Sequence, residues 1–373
     1  MCKIYQDIVE IFLLNQHLFV IFDDYNNKFD RLQGVIMNVR QFKLPKIVLL
    51  LIGIAIIVAA LIFLPEKPDK NEDFVSKSGL FFDTLVTITL YNTEDTALIE
   101  ECFAMCKTYE KIFSRTKKNS ELFQINENHG GKASAELLHV LNTGLTFCER
   151  SGGAFDITLG TISDLYSFSP DQPEIPSKEV LREALEHTGY EAVQIQDTTV
   201  SVSDPLVKID LGAVAKGYIA DRLKEYLETN GVTSGIINLG GNVLCIGKKN
   251  DGENFKIGIQ YPFREASDTI AELSIDDLSV VTTGVYERYF YQGDKLYHHV
   301  LNPENGLPYD NGIFSVTIIG TNSELCDVLS TAAFTMGLSG MELIDQTEGV
   351  WGIYVTENNQ LLFSEGAEAF VVH

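Results

Sequence analysis

The residues best suited to chemistry lie in five short polar and glycine-rich clusters after residue 150. In the cluster at 208–218, Asp210 ends a β-like run, Gly212 turns the chain, and Lys216 lies in the first turn of a predicted helix. A helix start offers free N–H groups and the positive end of the helix dipole, and with a lysine it favours a diphosphate. An ordinary strand-turn-helix junction has the same pattern, so the cluster alone leaves both interpretations open.

A second cluster, at 322–333, carries Asp327 and Thr331 four residues apart in a predicted helix. Residues at i and i+4 share one helix face, so a carboxylate and a hydroxyl oxygen point the same way. Such hard oxygen ligands suit Mg²⁺, which keeps several waters and takes the rest of its shell from substrate phosphates. The alternative is an aspartate in the first helical turn that interacts only with the helix dipole.

A third cluster contains two of the chain's seven histidines, the adjacent His298 and His299, between β-rich runs. Neighbours in a strand point to opposite faces, so at most one of them faces a given site. His299 is a candidate proton acceptor near neutral pH, with a structural role as the alternative.

The last two clusters are rich in glycine. In residues 151–158 (SGGAFDIT), the glycines let the backbone approach a ligand closely, and Asp156 and Thr158 could form hydrogen bonds with it. A helix C-cap followed by a turn would have the same sequence pattern. Residues 238–242 (NLGGN) place amides around a glycine turn, which a plain hairpin also explains.

Hydrophobic periodicity predicts the elements that must position these clusters. Helices are predicted at 96–113, 134–150, 178–187, 213–228 and 323–336, and β-structure at 85–91, 207–212, 235–247 and 255–320. Strands and helices are mixed rather than strictly alternating. The fold class is therefore predicted to be α+β and not a doubly wound sheet.

Charge and missing motifs exclude several classes of protein. The net charge is −24, and after residue 65 only 22 Lys and Arg accompany 47 Asp and Glu. Such an acidic domain repels phosphate backbones, so no nucleic-acid partner is expected. None of the six cysteines forms a CxxC pair, which excludes a zinc ribbon or a thioredoxin-like site. The absence of GxxxxGK[ST], GxGxxG, HExxH and GxSxG disfavours nucleotide-loop ATPases, Rossmann dehydrogenases, zincins and α/β-hydrolases.

The N-terminal region predicts attachment to a membrane. Residues 47–64 are eighteen residues without a polar or charged side chain, near the minimum for a spanning helix. Because Arg40, Lys43 and Lys46 precede this run, residues 1–46 are predicted to be cytoplasmic and residues 66–373 to lie outside. We expect an uncleaved single-pass signal anchor in the cell membrane, with a cleaved signal peptide as the alternative. A linker at 65–78 then leads to an extracytoplasmic domain at 79–373.

The start of the chain carries one further expectation. Met37 begins a signal-anchor pattern by itself, and residues 1–36 are mixed in charge and rich in aromatics. Residues 1–36 are therefore interpreted as an over-extended start.

In their order along the chain, the clusters resemble the FAD:protein FMN transferases, the ApbE-like flavin transferases. The resemblance extends from about Phe82 to the C-terminus. It rests on seven motifs at 120–126 (SELFQIN), 153–158 (GAFDIT), 210–218 (DLGAVAKGY), 239–242 (LGGN), 283–284 (TG), 299–303 (HVLNP) and 327–332 (DVLSTA).

The resemblance implies an ApbE-like (T-fold-like) domain and an enzyme with FAD as its substrate. Such an enzyme transfers FMN from FAD to a Thr or Ser hydroxyl of an acceptor flavoprotein through a phosphoester bond and releases AMP. The implied acceptor belongs to a membrane or extracellular electron-transfer chain. An FAD pyrophosphatase that uses water as the nucleophile, and a flavin-binding electron-transfer module without catalysis, are the alternatives.

The resemblance also assigns residues. The family's Mg²⁺ ligands map onto the backbone carbonyl of Ala213 and the side chains of Asp327 and Thr331. Its FAD contacts map onto Thr84, Ala154, Phe155, Asp156, Asp210, Lys216, Thr283 and His299. A hydroxyl nucleophile needs a base, for which we expect His299, with Asp327 or a metal-bound water as alternatives.

Three positions depart from the family pattern. Asn302 stands where the family usually has Asp, which leaves a role for that carboxylate in doubt. Thr161 and Tyr166 stand where the family has Pro and Trp, and Tyr166 still offers an aromatic surface for a ring.

Overall fold

A computed structural model describes residues 74–169, 172–265 and 267–372. The described residues belong to one compact unit, Glu72–His373. The predicted cytoplasmic segment at 1–46 and the predicted anchor at 47–64 lie outside the described residues. Within the described ranges, no helix is both long and apolar enough to cross a membrane.

The secondary structure mixes short strands with helices of up to five turns. The strands are β1 Phe74–Phe81, β2 Thr84–Tyr91, β3 Gly130–Lys132, β4 Val193–Gln196, β5 Thr199–Val202, β6 Ser234–Leu239, β7 Asn242–Gly247, β8 Phe255–Gln260, β9 Thr269–Ile275, β10 Ser279–Gly284, β11 Tyr289–Gln292, β12 Lys295–His298, β13 Ile313–Gly320, β14 Val350–Thr356 and β15 Leu361–Phe363. The helices are α1 Ala97–Phe113, α2 Glu121–Asn128, α3 Ala135–Arg150, α4 Gly160–Ser163, α5 Lys178–Leu185, α6 Ala215–Thr229, α7 Ser323–Thr335 and α8 Gly340–Asp345. Short 3₁₀ turns lie at Tyr190–Ala192, Gly337–Ser339 and Ala367–Phe370.

One eight-stranded sheet organises the domain, in the order β1-β2-β6-β7-β10-β13-β14-β15. All neighbouring strands in it run antiparallel. In β2, Val86, Ile88 and Leu90 alternate with more exposed residues and are fully buried, as expected for a strand with one face on a core. The prediction of an α+β fold is confirmed.

The helical side of this sheet carries the larger core. Helix α6 packs against β6 and β7, while α7 packs against β10, β13 and α6. The two helices approach very closely, since a Cβ on Gly217 would lie 2.2 Å from the carbonyl oxygen of Ser323. The opposite face is covered by the β8–β9 hairpin and the 3₁₀ turn at Ala367–Phe370, which form a second core around Phe255 and Leu273.

The helix predictions agree closely with the structure. The predicted N-cap Ser134 accepts a hydrogen bond from the amide of Leu137, and α3 ends before Gly152 and Gly153, which both have positive φ.

Three boundaries differ from prediction. Residues 207–212 form no regular strand, and only an isolated bridge joins Lys208 to Leu159. Helix α6 begins at Ala215 rather than at residue 213. Strand β1 begins at Phe74, so residues 74–78, which were assigned to the linker, belong to the sheet.

The 207–212 segment is held by backbone hydrogen bonds to residues 157–160 and by one buried side chain, rather than by a regular strand partner. Asn126 on α2 donates from its amide nitrogen to the carbonyl of Ile209 and accepts from the amide of Ile209, both at 2.9 Å. One buried side chain thus satisfies both backbone groups of that residue, as buried polar groups require. The result is a fixed extended segment that leads Asp210 and Gly212 to the start of α6.

Candidate functional site

The centre of the candidate site is the junction of α6 and α7. Asp327 is only 3% exposed, and its Oδ2 accepts a hydrogen bond of 2.9 Å from the backbone amide of Gly217. Its Oδ1 lies 3.7 Å from Nζ of Lys216, which also donates to the carbonyl of Gly212 at 2.7 Å. Burial raises the pKa of Asp327, and the neighbouring Lys216 charge opposes that rise. The structure therefore brings together Asp327 and Lys216, as predicted.

The bond from Gly217 to Asp327 has a consequence for the helix start. In a regular helix the amide of Gly217 would donate to the carbonyl four residues earlier, that of Ala213. Because this amide donates to Asp327 instead, the carbonyl oxygen of Ala213 does not receive it. The backbone oxygen assigned to Mg²⁺ is thus available for a ligand.

Hydroxyl groups extend the site along α7. The Oγ1 atom of Thr283, at the end of β10, lies 2.9 Å from Oγ1 of Thr331 and 2.8 Å from Oγ of Ser330. Thr331 lies one turn after Asp327 on the same face of α7. The predicted residues Thr283, Asp327 and Thr331 therefore line one continuous polar strip.

This donor set fits a magnesium ion better than a transition metal. Within residues 74–169, 172–265 and 267–372, no group of three or more His, Cys, Asp or Glu side chains is placed to hold a metal. The strip instead offers one carboxylate, a hydroxyl and the carbonyl of Ala213. Hard oxygen donors in small number are typical of Mg²⁺ sites, whose remaining ligands are waters and phosphate oxygens.

The two adjacent histidines occupy different environments, and only His298 belongs to a strand. His298 is buried, its Nε2 lies 2.9 Å from the carbonyl of Tyr309, and burial lowers its pKa to about 4. His299 follows the end of β12, and its backbone amide donates to the carbonyl of Arg288. Burial, together with the charges of Arg288 and Lys216, lowers the pKa of His299 to about 3, and its Nδ1 is buried without a hydrogen-bond partner in the described structure. His299 is thus a neutral ring beside the cations of the site.

The structure adds an acidic residue that the sequence analysis missed, Glu287. Solvent reaches its side chain, and a Cβ on Gly241 would lie 3.9 Å from its Oε1. Surrounding protein raises the pKa of Glu287 to about 7, an effect opposed by Lys216 and Arg288 and reinforced by Asp327. The one available signal was its position three residues after the Thr283-Gly284 motif.

The loop at 151–158 is locked to the rest of the domain by the residues predicted to bind FAD. Oδ1 of Asp156 accepts from the amide and hydroxyl of Thr158 at 2.7 and 2.6 Å, and Oδ2 accepts from the amide of Tyr190 at 3.0 Å. The carbonyl of Ala154 accepts from the hydroxyl of Tyr309 at 2.7 Å. Phe155 is buried in the main core. Asp156 and Phe155 therefore position this loop, and Ala154 remains partly exposed on it.

Asp210 belongs to an ionic network at the surface. Its Oδ2 lies 2.8 Å from Nε of Arg115, while its Oδ1 accepts from the amide of Gly212. Arg115 also contacts Asp164, which Lys208 binds at 2.7 Å. Two nearby cations are thus already neutralised by carboxylates, and Lys216 remains the principal positive charge beside Asp327.

Thr84 meets the glycine turn between β6 and β7. A Cβ on Gly240 would lie 2.1 Å from Oγ1 of Thr84, so only glycine fits at that position, whose φ is +60°. The turn that carries Gly240 and Gly241 therefore connects Thr84 on one side with Glu287 on the other.

Two of the residues that depart from the family pattern, Asn302 and Tyr166, have structural roles. The side chain of Asn302 accepts a hydrogen bond of 2.8 Å from the amide of Glu304, and its carbonyl accepts from Gly306, so it shapes the turn around Pro303. Tyr166 is buried, stacks on Phe168 and donates to the carbonyl of Gly306 at 2.9 Å. The expectation that Tyr166 offers an open aromatic surface is wrong, because Phe168 and the 302–306 turn cover it.

Comparison with known proteins agrees with this geometry. The family model described as the ApbE family matches residues 82–354. The chain belongs to the ApbE family. It is 34% identical over 295 residues to a FAD:protein FMN transferase of Klebsiella pneumoniae, covering 78% of this chain and 91% of the relative. A FAD:protein FMN transferase of Treponema pallidum is 29% identical over 314 residues, covering 78% of this chain and 87% of that protein.

Solved structures of ApbE proteins have the same fold as this family member. The crystal structure of the ApbE protein from Thermotoga maritima superimposes with a TM-score of 0.74 at 31% identity, over 81% of this chain and all of that one. The flavin transferase ApbE from Vibrio cholerae gives a TM-score of 0.71 at 25% identity, over 80% of this chain and 99% of that one. The predicted ApbE-like domain is confirmed.

Proposed function

We propose that this ApbE family member is a FAD:protein FMN transferase. The hydroxyl of a Thr or Ser in an acceptor protein attacks the FMN-side phosphorus of FAD, the bond to the AMP phosphate breaks, and AMP leaves with that electron pair. The observation that carries the proposal is the junction of α6 and α7, where the carboxylate of Asp327 accepts from the amide of Gly217 and lies 3.7 Å from the ammonium of Lys216. The names of the relatives support the same activity.

The residues at this junction fit a resident magnesium ion. Ala213 through its carbonyl, Asp327 and Thr331 would hold Mg²⁺, which when bound neutralises charge on the pyrophosphate. Lys216 acts beside it, because an ammonium at the start of α6 stabilises the charge that develops on the departing AMP phosphate. Asp327 stays ionised most readily when a cation is bound, since burial alone raises its pKa.

The other residues that the family resemblance assigns would serve binding. The partly exposed Ala154, the turn at Gly240 and Gly241 beside Thr84, and the hydroxyl of Thr283 would provide contacts for FAD. The neutral ring of His299 offers a hydrogen-bonding nitrogen near Lys216. A ring with so low a pKa is a weak base in the free protein, so its predicted role as the proton acceptor requires that bound FAD raise its pKa.

We further propose that residues 47–64 anchor the enzyme in the cell membrane with the transferase domain outside. The eighteen-residue apolar run and the preceding Arg40, Lys43 and Lys46 support this orientation. The acceptor would then be a flavoprotein of a membrane or extracellular electron-transfer chain. Fractionation of native cells, followed by protease treatment of intact cells, tests the placement, and protection of the domain from the protease would contradict it.

Intact-mass measurement distinguishes the proposed activity from its alternatives. The purified full chain is incubated with FAD, Mg²⁺ and a flavoprotein domain that carries an acceptor threonine. An acceptor heavier by one FMN, with AMP formed in equal amount, supports transfer. Free FMN with an unmodified acceptor would indicate a pyrophosphatase, and unchanged FAD would indicate a flavin-binding module.

A further inference from the structure

Arg115 is the side chain that ties Asp210, a predicted FAD contact, to the ionic network at the surface. It follows α1 by two residues, and its side chain is 20% exposed. Its Nε lies 2.8 Å from Oδ2 of Asp210, while the same guanidinium contacts the carboxylate of Asp164 and donates to Oγ of Ser163 at 3.4 Å. Because a guanidinium presents its N–H donors in a fixed planar fork, one arginine holds several partners in a defined arrangement.

The second oxygen of Asp210 fixes the turn that leads into α6. Oδ1 accepts from the amide of Gly212 at 2.9 Å, which is the hydrogen bond of an Asx turn. A Cβ on Gly212 would lie 3.1 Å from this oxygen, so the carboxylate lies directly against the turn. The carbonyl of Gly212 accepts in turn from Nζ of Lys216 at 2.7 Å. Three consecutive contacts of 2.7–2.9 Å therefore connect the guanidinium of Arg115 with the ammonium of Lys216.

The backbone around Asp210 is held independently of its side chain. Asn126 pairs with both backbone groups of Ile209, and the amide of Asp210 donates to the carbonyl of Ile157 at 2.7 Å. Within the part of the chain that the structure describes, Arg115 forms the only ion pair of the Asp210 carboxylate. The position of the backbone thus depends on other residues, whereas the orientation of the carboxylate depends on Arg115 and on the turn amide.

The pair of Arg115 and Asp210 still has room for a ligand. A carboxylate offers about four lone-pair sites, of which Arg115 and the amide of Gly212 take two. The side chain of Asp210 is 34% exposed, so the remaining sites can accept from the hydroxyl groups of a nucleotide. Arg115 also balances the charge of this carboxylate, which would otherwise repel a diphosphate.

We propose that Arg115 is a positioning residue for FAD binding and that it acts through Asp210. This inference rests on the proposed function, in which Asp210 contacts FAD. The guanidinium orients the carboxylate of Asp210 towards the substrate and compensates its charge. Because the hydrogen bonds from Gly212 and from Lys216 do not involve the guanidinium, removal of Arg115 should weaken FAD binding and leave the rate of transfer from bound FAD nearly unchanged.

A double-mutant cycle in the full chain tests this coupling. Arg115→Met removes the donors and keeps an unbranched side chain, Asp210→Asn keeps the shape of the carboxylate and removes its charge, and the third variant combines both. Arg150→Met is the matched control, because this exposed arginine at the end of α3 donates to Oγ1 of Thr347 at 3.0 Å. FAD affinity is measured with Mg²⁺ and without acceptor by quenching of flavin fluorescence. Circular dichroism and thermal unfolding verify the fold of each variant.

The expected pattern is a strong non-additivity. Arg115→Met should raise the Kd for FAD about tenfold, since a hydrogen bond between charged groups contributes about that factor at a partly exposed site. Asp210→Asn should raise the Kd at least as much. The double variant should bind FAD within about twofold of Asp210→Asn, because the guanidinium then has no carboxylate to orient. Arg150→Met should match the wild type.

Transfer kinetics and a conservative variant complete the test. Arg115→Met should raise the KM for FAD, with kcat at saturating FAD within about threefold of the wild type. Arg115→Lys keeps a cation, so its Kd should lie between those of the wild type and Arg115→Met. If Arg115→Met does not fold, Arg115→Lys takes its place in the cycle and should show the same non-additivity with Asp210→Asn.

Three results would overturn the inference. They are a Kd of Arg115→Met within twofold of the wild type, the same factor of loss in the wild-type and Asp210→Asn backgrounds, or an unchanged Kd in Asp210→Asn. Equal factors would mean that Arg115 acts on the fold and not through Asp210. A wild-type chain that binds FAD but modifies no acceptor would overturn the proposed transfer alone, because the cycle is measured by binding.

Discussion

The closest backbone contact of the site offers a quantitative prediction. In Gly217→Ala, the new Cβ would lie 2.2 Å from the carbonyl oxygen of Ser323 and 2.6 Å from Cα of Glu324. Ordinary contacts of a Cβ begin near 3.4 Å. The start of α7 must therefore move by about 1.2 Å, because both obstacles are backbone atoms that no rotamer change can remove.

The energetic cost follows from three contributions. Overpacking costs about 1–3 kcal/mol, and weakening the charged hydrogen bond from Gly217 to Asp327 costs about 1.5–3 kcal/mol. Alanine recovers about 1 kcal/mol relative to glycine in a helix. We expect a net loss of about 3 kcal/mol in the free energy of unfolding, or about 6 °C in Tm for a domain of this size. The apparent affinity for Mg²⁺ in FMN transfer should also fall, since Asp327 lies one turn from the displaced backbone.

Thermal unfolding and Mg²⁺ titration of the purified full chain measure both effects. Gly144→Ala is the control, because that helical glycine in α3 meets the Cγ2 methyl of Ile157 at 2.9 Å, a side chain that can adjust. The decrease in Tm of Gly144→Ala should be clearly smaller than that of Gly217→Ala. A Gly217→Ala protein with a Tm within 1 °C of the wild type and unchanged Mg²⁺ dependence would refute the reasoning on the helix contact.

Three further predictions concern the site, the core and pH. Asp327→Ala should abolish Mg²⁺-dependent FMN transfer to the acceptor, and full activity in that variant would contradict the metal assignment. Asn126→Ala should lower the free energy of unfolding by about 1–3 kcal/mol per backbone group left unpaired, measured by urea unfolding, because both backbone groups of Ile209 lose their partner. Burial holds the pKa of His298 at about 4, below its unfolded value of 6.5, so the unfolded chain binds the extra proton between these values. Stability is therefore lost as the pH falls from 6.5 to 4, by about 3 kcal/mol for this group, and the loss should shrink in His298→Gln.

Much of the fold follows from local sequence. Helices α1, α3 and α7 were predicted almost to the residue, because each has an apolar face at helical spacing and α3 has a serine N-cap. Strands β2, β6 and β7 were predicted from alternation and from the glycine turn at Gly240 and Gly241. In these segments the local preference and the tertiary fold agree.

The predicted and observed elements differ where contacts with residues distant in the sequence determine the local structure. The segment at 207–212 has the composition of a strand, but it joins no sheet, and its backbone partners are Asn126 on α2 and the short stretch at 157–160. Helix α6 begins late because Asp327, more than a hundred residues away, takes the amide of Gly217. Neither contact is encoded in a local pattern.

In the candidate site, too, some residues could be predicted from local motifs and others depend on contacts that form only in the folded chain. Asp327, Lys216 and Thr331 were predicted through motifs, and the structure brings Asp327 and Lys216 to within 3.7 Å. Asp156 was predicted as a ligand contact, yet its oxygens bind Thr158 and Tyr190. Glu287 was missed, because its electrostatic interaction with Lys216 and Asp327 arises only in the folded chain.

We propose that the junction of α6 and α7 transfers FMN with the help of Mg²⁺. The most direct measurement is the intact mass of an acceptor domain after incubation with the full chain and FAD, once with Mg²⁺ and once with a chelator in excess. Because Lys216 is the principal positive charge beside Asp327, we predict an acceptor heavier by one FMN with Mg²⁺ and an unmodified acceptor with poorly bound FAD in chelator. Equal modification in both samples would contradict the account.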